Sequence, residues 1–130
     1  MPANLTLILT YIIFIWAVIL HTFEEISCGI MELELGKIKV TRNKYLFAAS
    51  GISTLNLATL ALLILGIPAG YYLGIFTSSV IGILQAVVHS IGYFREGKKA
   101  QGIGSGFYTS IPLAIIGLVV LLQIVQILRA

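Results

Sequence analysis

With 130 residues, 58% of them hydrophobic and 10% charged, and a mean hydropathy of +1.04, the composition excludes an ordinary water-soluble globular domain. The net charge of +3 is small, so its placement along the chain carries more information than its size. A single cysteine, Cys28, cannot form an intramolecular disulfide.

The apolar residues collect into four runs, about 5–27, 45–66, 69–94 and 107–128. Each exceeds the roughly 18–20 residues that a helix needs to cross the hydrocarbon core. Short connections join them, so the expected fold is all-α: a single membrane domain over 1–130, an integral membrane four-helix antiparallel bundle.

The first run has no basic residue ahead of it, because the first Lys or Arg is Lys37, and it is too long for a cleaved signal peptide. It ends in His21-Thr-Phe-Glu24-Glu25, three titratable groups within five residues. A carboxylate in hydrocarbon costs several kcal/mol unless it meets a partner, a proton, a metal or water. Positions 21, 24, 25 and 28 share one helix face, so His21 and at least one glutamate point the same way.

The first connection, Met31 to Val40, alternates apolar and charged residues. Folded about Leu35-Gly36, it pairs Glu34 with Lys37 and Glu32 with Lys39 as a small surface hairpin. An interfacial helix suits it equally, since Leu-Gly is a poor two-residue turn. In the second run Asn56 lies about eleven residues in, at the depth of a pocket floor. Gly66-Ile-Pro-Ala-Gly70 breaks the chain tightly, making the second and third helices neighbours. Small residues recur on both: Gly51, Ser53, Ala58 and Ala61, then Gly74, Ser78 and Gly82, as close helix packing requires.

The third run holds Gln85 and, one turn on, His89. His89 stands six residues before the run's end near Arg95, and His21 stands six residues before Ser27. Both helices run in the same direction, so both imidazoles lie roughly 9 Å inside one boundary. The connection from Gly97 to Ser110, with glycines at 97, 102, 104 and 106, reads as a mobile, solvated loop. Tyr108 opens the fourth helix near the histidine layer.

Seven of the eight basic residues (Lys37, Lys39, Arg42, Lys44, Arg95, Lys98 and Lys99) fall in the first and third connections, and Arg129 alone falls on the other side. Positive charge stays inside, so both charged loops are expected in the cytoplasm and both termini outside a cell membrane crossed several times.

The motif H-x-x-E-E, carried by His21, Glu24 and Glu25, resembles the signature of the HXXEE family, small multi-span membrane proteins named for it. The resemblance covers most of the chain. It implies a later helical histidine, which His89 matches, and a tyrosine near glycines before the last span, which Tyr108 matches. In place of a Tyr-Pro-Gly type of sequence there, the chain has Phe107-Tyr-Thr-Ser-Ile-Pro112. The resemblance supports a site at these residues and names no reaction.

Two imidazoles with one or two carboxylates form a ligand set suited to zinc, iron or manganese. The expected ligands are His21, Glu24, Glu25 and His89, with Glu24 or Glu25 as a catalytic base. Asn56, Gln85 and Tyr108 would line the pocket, and Lys98 and Lys99 would meet an anionic head group of a lipid-like substrate. Three alternatives compete with a metal-dependent membrane enzyme. One is a proton-coupled transporter using Glu24 and Glu25, which resembles small multidrug exporters although the seven-to-one charge asymmetry opposes dual topology. The second is a b-type haem held by His21 and His89. The third is a purely structural subunit. The lipid bilayer is the expected partner, nucleic acid is not, and a homo-oligomer is compatible with the pattern.

Overall fold

The computed structural model describes residues 4–29, 34–35, 38–96 and 102–130. Its helices are α1 (Leu5–Ser27), α2 (Arg42–Ile64), α3 (Pro68–Arg95) and α4 (Phe107–Arg129), and all four are long and apolar enough to cross a membrane. The chain is thus an all-α four-helix bundle, and its four spans fit a multi-pass membrane protein.

Each boundary has a local cause. The Asn4 side chain accepts from the Leu7 N–H at 3.1 Å and caps α1. Thr41 does the same for α2 through the Lys44 N–H. This cap starts α2 three residues before the expected Tyr45, so Arg42 and Lys44 sit in its first turn rather than in the connection. At the other end Ile67 N–H reaches back to Leu62 O at 2.9 Å and Gly66 N–H to Leu63 O at 3.1 Å. Gly66 takes a left-handed φ of 67°, closing a Schellman turn from which Pro68 starts α3 at once.

Between α1 and α2, strands β1 (Glu34–Leu35) and β2 (Ile38–Lys39) pair antiparallel, Glu34 opposite Lys39 and Leu35 opposite Ile38. The expected register, Glu34 against Lys37, is therefore moved by one position along the turn. Leu-Gly would have to occupy a two-residue turn in the expected register; the observed pairs leave Gly-Lys between the strands, a pattern such turns accept. Lys39 therefore meets Glu34 rather than the expected Glu32; Glu32 and Lys37 themselves lie outside the described residues.

One seam organises α1. Six of its seven buried residues, Leu7, Tyr11, Phe14, Val18, His21 and Glu25, are spaced alternately by four and three, the repeat of a packed helix stripe, and the seventh, Ala17, flanks it beside Val18. The buried residues of α4, Ser110, Leu113, Gly117, Val120 and Ile124, follow the same alternation. Where α3 crosses α4, a Cβ on Gly82 would lie 3.3 Å from the Gly117 Cα, and one on Gly117 would lie 3.0 Å from the Ser78 carbonyl. The helices approach at backbone distance because neither carries a side chain there. The small residues of α2 behave otherwise: Gly51, Ser53, Ala58 and Ala61 are all exposed.

Two buried features were not expected. Residues Thr77–Leu84 of α3 wind as a π-helix between two α-helical stretches. Beside it Tyr11 Oη lies 2.9 Å from Asn56 Oδ1 and 2.8 Å from Thr77 Oγ1, a buried polar knot joining α1, α2 and α3.

Candidate functional site

His21, Glu25 and His89 come together at the charged-loop end of the bundle, and all three are buried, at 3%, 7% and 3% exposure. One nitrogen of each imidazole and one carboxylate oxygen lie within 4.8 Å of one another, close enough to hold a metal ion. Glu25 Oε1 is the shared point, 3.2 Å from His89 Nε2 and 3.7 Å from His21 Nε2. The shared depth read from the sequence thus becomes contact, with the two rings edge to face at 4.8 Å between centroids.

The chemistry follows from what holds the other ring nitrogens. His89 Nδ1 lies 2.8 Å from the Ile103 carbonyl oxygen. A carbonyl only accepts, so His89 Nδ1 bears the proton. Thr109 Oγ1 donates its single proton to Glu24 Oε2 at 2.5 Å and therefore accepts from His21 Nδ1 at 3.1 Å. Nε2 is then the remaining nitrogen of each ring, and both Nε2 atoms approach Glu25 Oε1. The 3.2 Å approach of His89 lacks hydrogen-bond alignment, and both Nε2 atoms are buried without a hydrogen-bond partner. Two imidazole nitrogens and a carboxylate oxygen thus lie together in a buried place, a group that a proton or a metal ion between them would satisfy. Ligand bonds of about 2.0–2.2 Å to one tetrahedral ion imply ligand atoms about 3.4 Å apart, and the two Glu25 distances bracket that value.

A surrounding shell orients the three groups. The Tyr45 hydroxyl of α2 donates to Glu25 Oε2 at 2.8 Å, leaving Oε1 for the imidazoles. The Ile103 carbonyl reaches His89 because the short 3₁₀ turn Gly102–Gly104 rests on Gly92, where a Cβ would stand 2.6 Å from Ile103 Cγ2 and 2.7 Å from its carbonyl carbon. Glu96 accepts from the N–H groups of Ile103 and Gly104 at 3.3 and 3.4 Å and pins the turn. Gly106, with φ at 80°, then starts α4 against the site: a Cβ here would meet His21 Cε1 at 2.6 Å. The part of this connection that is described is therefore a buried, hydrogen-bonded support, with Gly104 and Ser105 buried, rather than the solvated loop that its glycines suggest.

Glu24 stands apart from the three-residue group. Its carboxylate accepts the N–H of Tyr108 at 3.2 Å and that of Thr109 at 2.7 Å, besides the Thr109 hydroxyl. It caps the positive end of α4 from a different helix, so its oxygens are already engaged. Glu24 lies outside the group of three whose atoms stand close enough for one ion, and it is linked to His21 through Thr109.

The expected pocket residues divide. Gln85 lines a cavity of about 230 Å³ between α1, α2 and α3 together with His21, Glu25 and Tyr45. Asn56 does not face this group; it is bound to Tyr11, and its amide N–H returns to Ile52 O. Tyr108 offers its backbone N–H to Glu24, while its exposed side chain meets Tyr93 Oη at 3.1 Å. Lys98 and Lys99 lie outside the described residues.

Thr109, beside Tyr108 at the start of the fourth helix, is near the histidine layer by sequence, whereas Tyr45, Gly92, Gly106 and the Ile103 carbonyl are not singled out as site residues. Tyr45 reads from sequence as a membrane-interface aromatic, and a backbone carbonyl leaves no trace in sequence. Gly106, immediately before a predicted helix, was the one available signal. A haem between the histidines does not fit this arrangement, because rings in edge-to-face contact leave no plane for a macrocycle. Compared with known proteins, the chain matches no family model, no curated protein and no solved structure.

Proposed function

We propose that this is an integral membrane metal-binding protein whose ion is held by His21 Nε2, His89 Nε2 and a carboxylate oxygen of Glu25, at the cytoplasmic side of a cell membrane. One observation carries the reading: two buried imidazole Nε2 atoms, each on a ring held by a hydrogen bond at its Nδ1, lie 3.2 and 3.7 Å from one carboxylate oxygen and have no hydrogen-bond partner of their own. Metal-bound histidines are held in this way, with the distal ring N–H on a carbonyl or an acidic network. Two imidazoles and a carboxylate favour zinc, iron or manganese. Three protein ligands leave a coordination position open, the hallmark of a site that activates water or polarises a substrate. The likeness of His21, Glu24 and Glu25 to the HXXEE signature is consistent with a site here.

A proton in place of the ion is the rival reading, and it would suit a proton-coupled transporter. The 3.2 Å separation of His89 Nε2 from Glu25 Oε1 favours that reading, since a proton between them satisfies both. It leaves His21 Nε2, 3.7 Å from the same oxygen, still unpartnered, whereas a single ion satisfies all three atoms.

Elemental analysis of protein purified in mild detergent without chelators tests the choice. About one equivalent of a transition metal is expected, falling below a tenth of an equivalent in His21→Ala, Glu25→Ala and His89→Ala. Metal-free wild-type protein that also fails to take up added zinc, manganese or iron(II) overturns the metal reading.

A further inference from the structure

The cavity beside the three donors has two chemically distinct ends. At one, His21 and Glu25 present the candidate ligands and Tyr45 its hydroxyl; away from it the walls are apolar, built by Val18, Ile52 and Ile81. Ala48, exposed, and half-buried Ala49 border it on the outer surface of α2. That surface belongs to a helix long and apolar enough to cross a membrane, and the two alanines stand four and five residues beyond Lys44 in its charged first turn, so the opening lies near the edge of the bilayer, where an amphiphile's polar end resides. At about 230 Å³ the space is smaller than the roughly 300–1,000 Å³ of pockets that enclose drug-sized ligands. It has room for one slim chain rather than for paired acyl chains.

Resting on the metal reading above, we infer that the site takes a single-chain amphiphile with a terminal oxygen function, an acid, aldehyde or alcohol, whose polar end meets the ion and whose chain occupies the cavity between α1, α2 and α3. The alanines decide access: neither projects beyond its Cβ, and a bulkier side chain at either position would intrude on the chain's path. Gln85, on the cavity wall, supplies an amide to a second oxygen of the same head. The chain dissolved in the bilayer gains little hydrophobic free energy on entry, so discrimination comes from shape and from the oxygen's bond to the ion.

The experiment uses cobalt(II)-loaded protein in nanodiscs of zwitterionic lipid, with the visible cobalt bands reporting ligation. Acetohydroxamate and decanohydroxamate are the probes; they share a chelating head and differ in chain. Comparing the ratio of their affinities between variants in one bilayer cancels partitioning. Decanohydroxamate is expected to shift the bands at a concentration at least tenfold lower than acetohydroxamate in the wild type. Ala49→Phe, or the surface variant Ala48→Phe should the former fold poorly, is expected to cut that ratio at least tenfold while the ligand-free cobalt spectrum stays the same. An affinity ratio that is unchanged in both variants overturns the inference and leaves the metal reading standing. Cobalt that never reports nitrogen and oxygen ligation by His21, Glu25 and His89 overturns both.

Discussion

The hydroxyl of Thr109 has one proton, and its destination decides the chemistry of His21. Glu24 takes that proton at 2.5 Å, so the imidazole must donate to the same oxygen and expose Nε2. Thr109→Val removes the acceptor, releases the tautomer and leaves Glu24 with only backbone partners. Loss of such an outer-shell partner is expected to weaken metal binding by about 10–100-fold, with Thr109→Ser close to wild type, as read by competition with a chromophoric chelator. Unchanged affinity in Thr109→Val would show that Glu24 and Thr109 do not position His21. Sequence reasoning brought His21 and His89 to one depth because rise per residue is a reliable ruler. It did not separate Glu25 from Glu24. The seam Leu7, Tyr11, Phe14, Val18, His21 decides in favour of Glu25, but the seam is invisible in a helix whose lipid-facing residues are as apolar as its core.

At the scale of elements, the site depends on a turn and a glycine more than on any helix. The turn Gly102–Gly104 lies in backbone contact with α3 at Gly92, and only that contact delivers the Ile103 carbonyl to His89. Gly92→Ala places a methyl group 2.6 Å from Ile103 Cγ2 and 2.8 Å from Gly104 N. The expected outcome is a loss of about 1–3 kcal/mol by detergent-phase thermal or denaturant unfolding, together with weaker metal binding. Wild-type values for both would mean the turn can shift without consequence. A second measurement belongs to the polar knot. Tyr11→Phe leaves Asn56 Oδ1 and Thr77 with one partner fewer, and a destabilisation of about 0.5–2 kcal/mol with unaltered metal content is expected. The four helices were legible because hydropathy and length suffice to find spans. The π-helical stretch was not, since no residue pattern in Thr77–Leu84 marks it, and the buried turn was not, since it rests on the end of α3 and glycine-rich stretches read alike whether they pack or are solvated.

For the molecule as a whole, the charge asymmetry sets an orientation that Cys28, the lone cysteine, can report. It lies just beyond the end of α1, at the end where the basic residues gather. A membrane-impermeant maleimide is expected to label it in inverted vesicles and not in intact cells; the reverse pattern overturns the proposed sidedness. The bond between Glu24 and the start of α4 also has a consequence for assembly in time. The two ends of that bond, Glu24 and Thr109, are 85 residues apart. At roughly 5–20 residues per second, synthesis separates their appearance by about 4–17 s. During that interval Glu24 has been made without its cap, and for the earlier part of it Glu25 without His89, so the end of α1 has reason to wait at the water interface. The fourth helix, once made, supplies the backbone N–H groups that Glu24 caps.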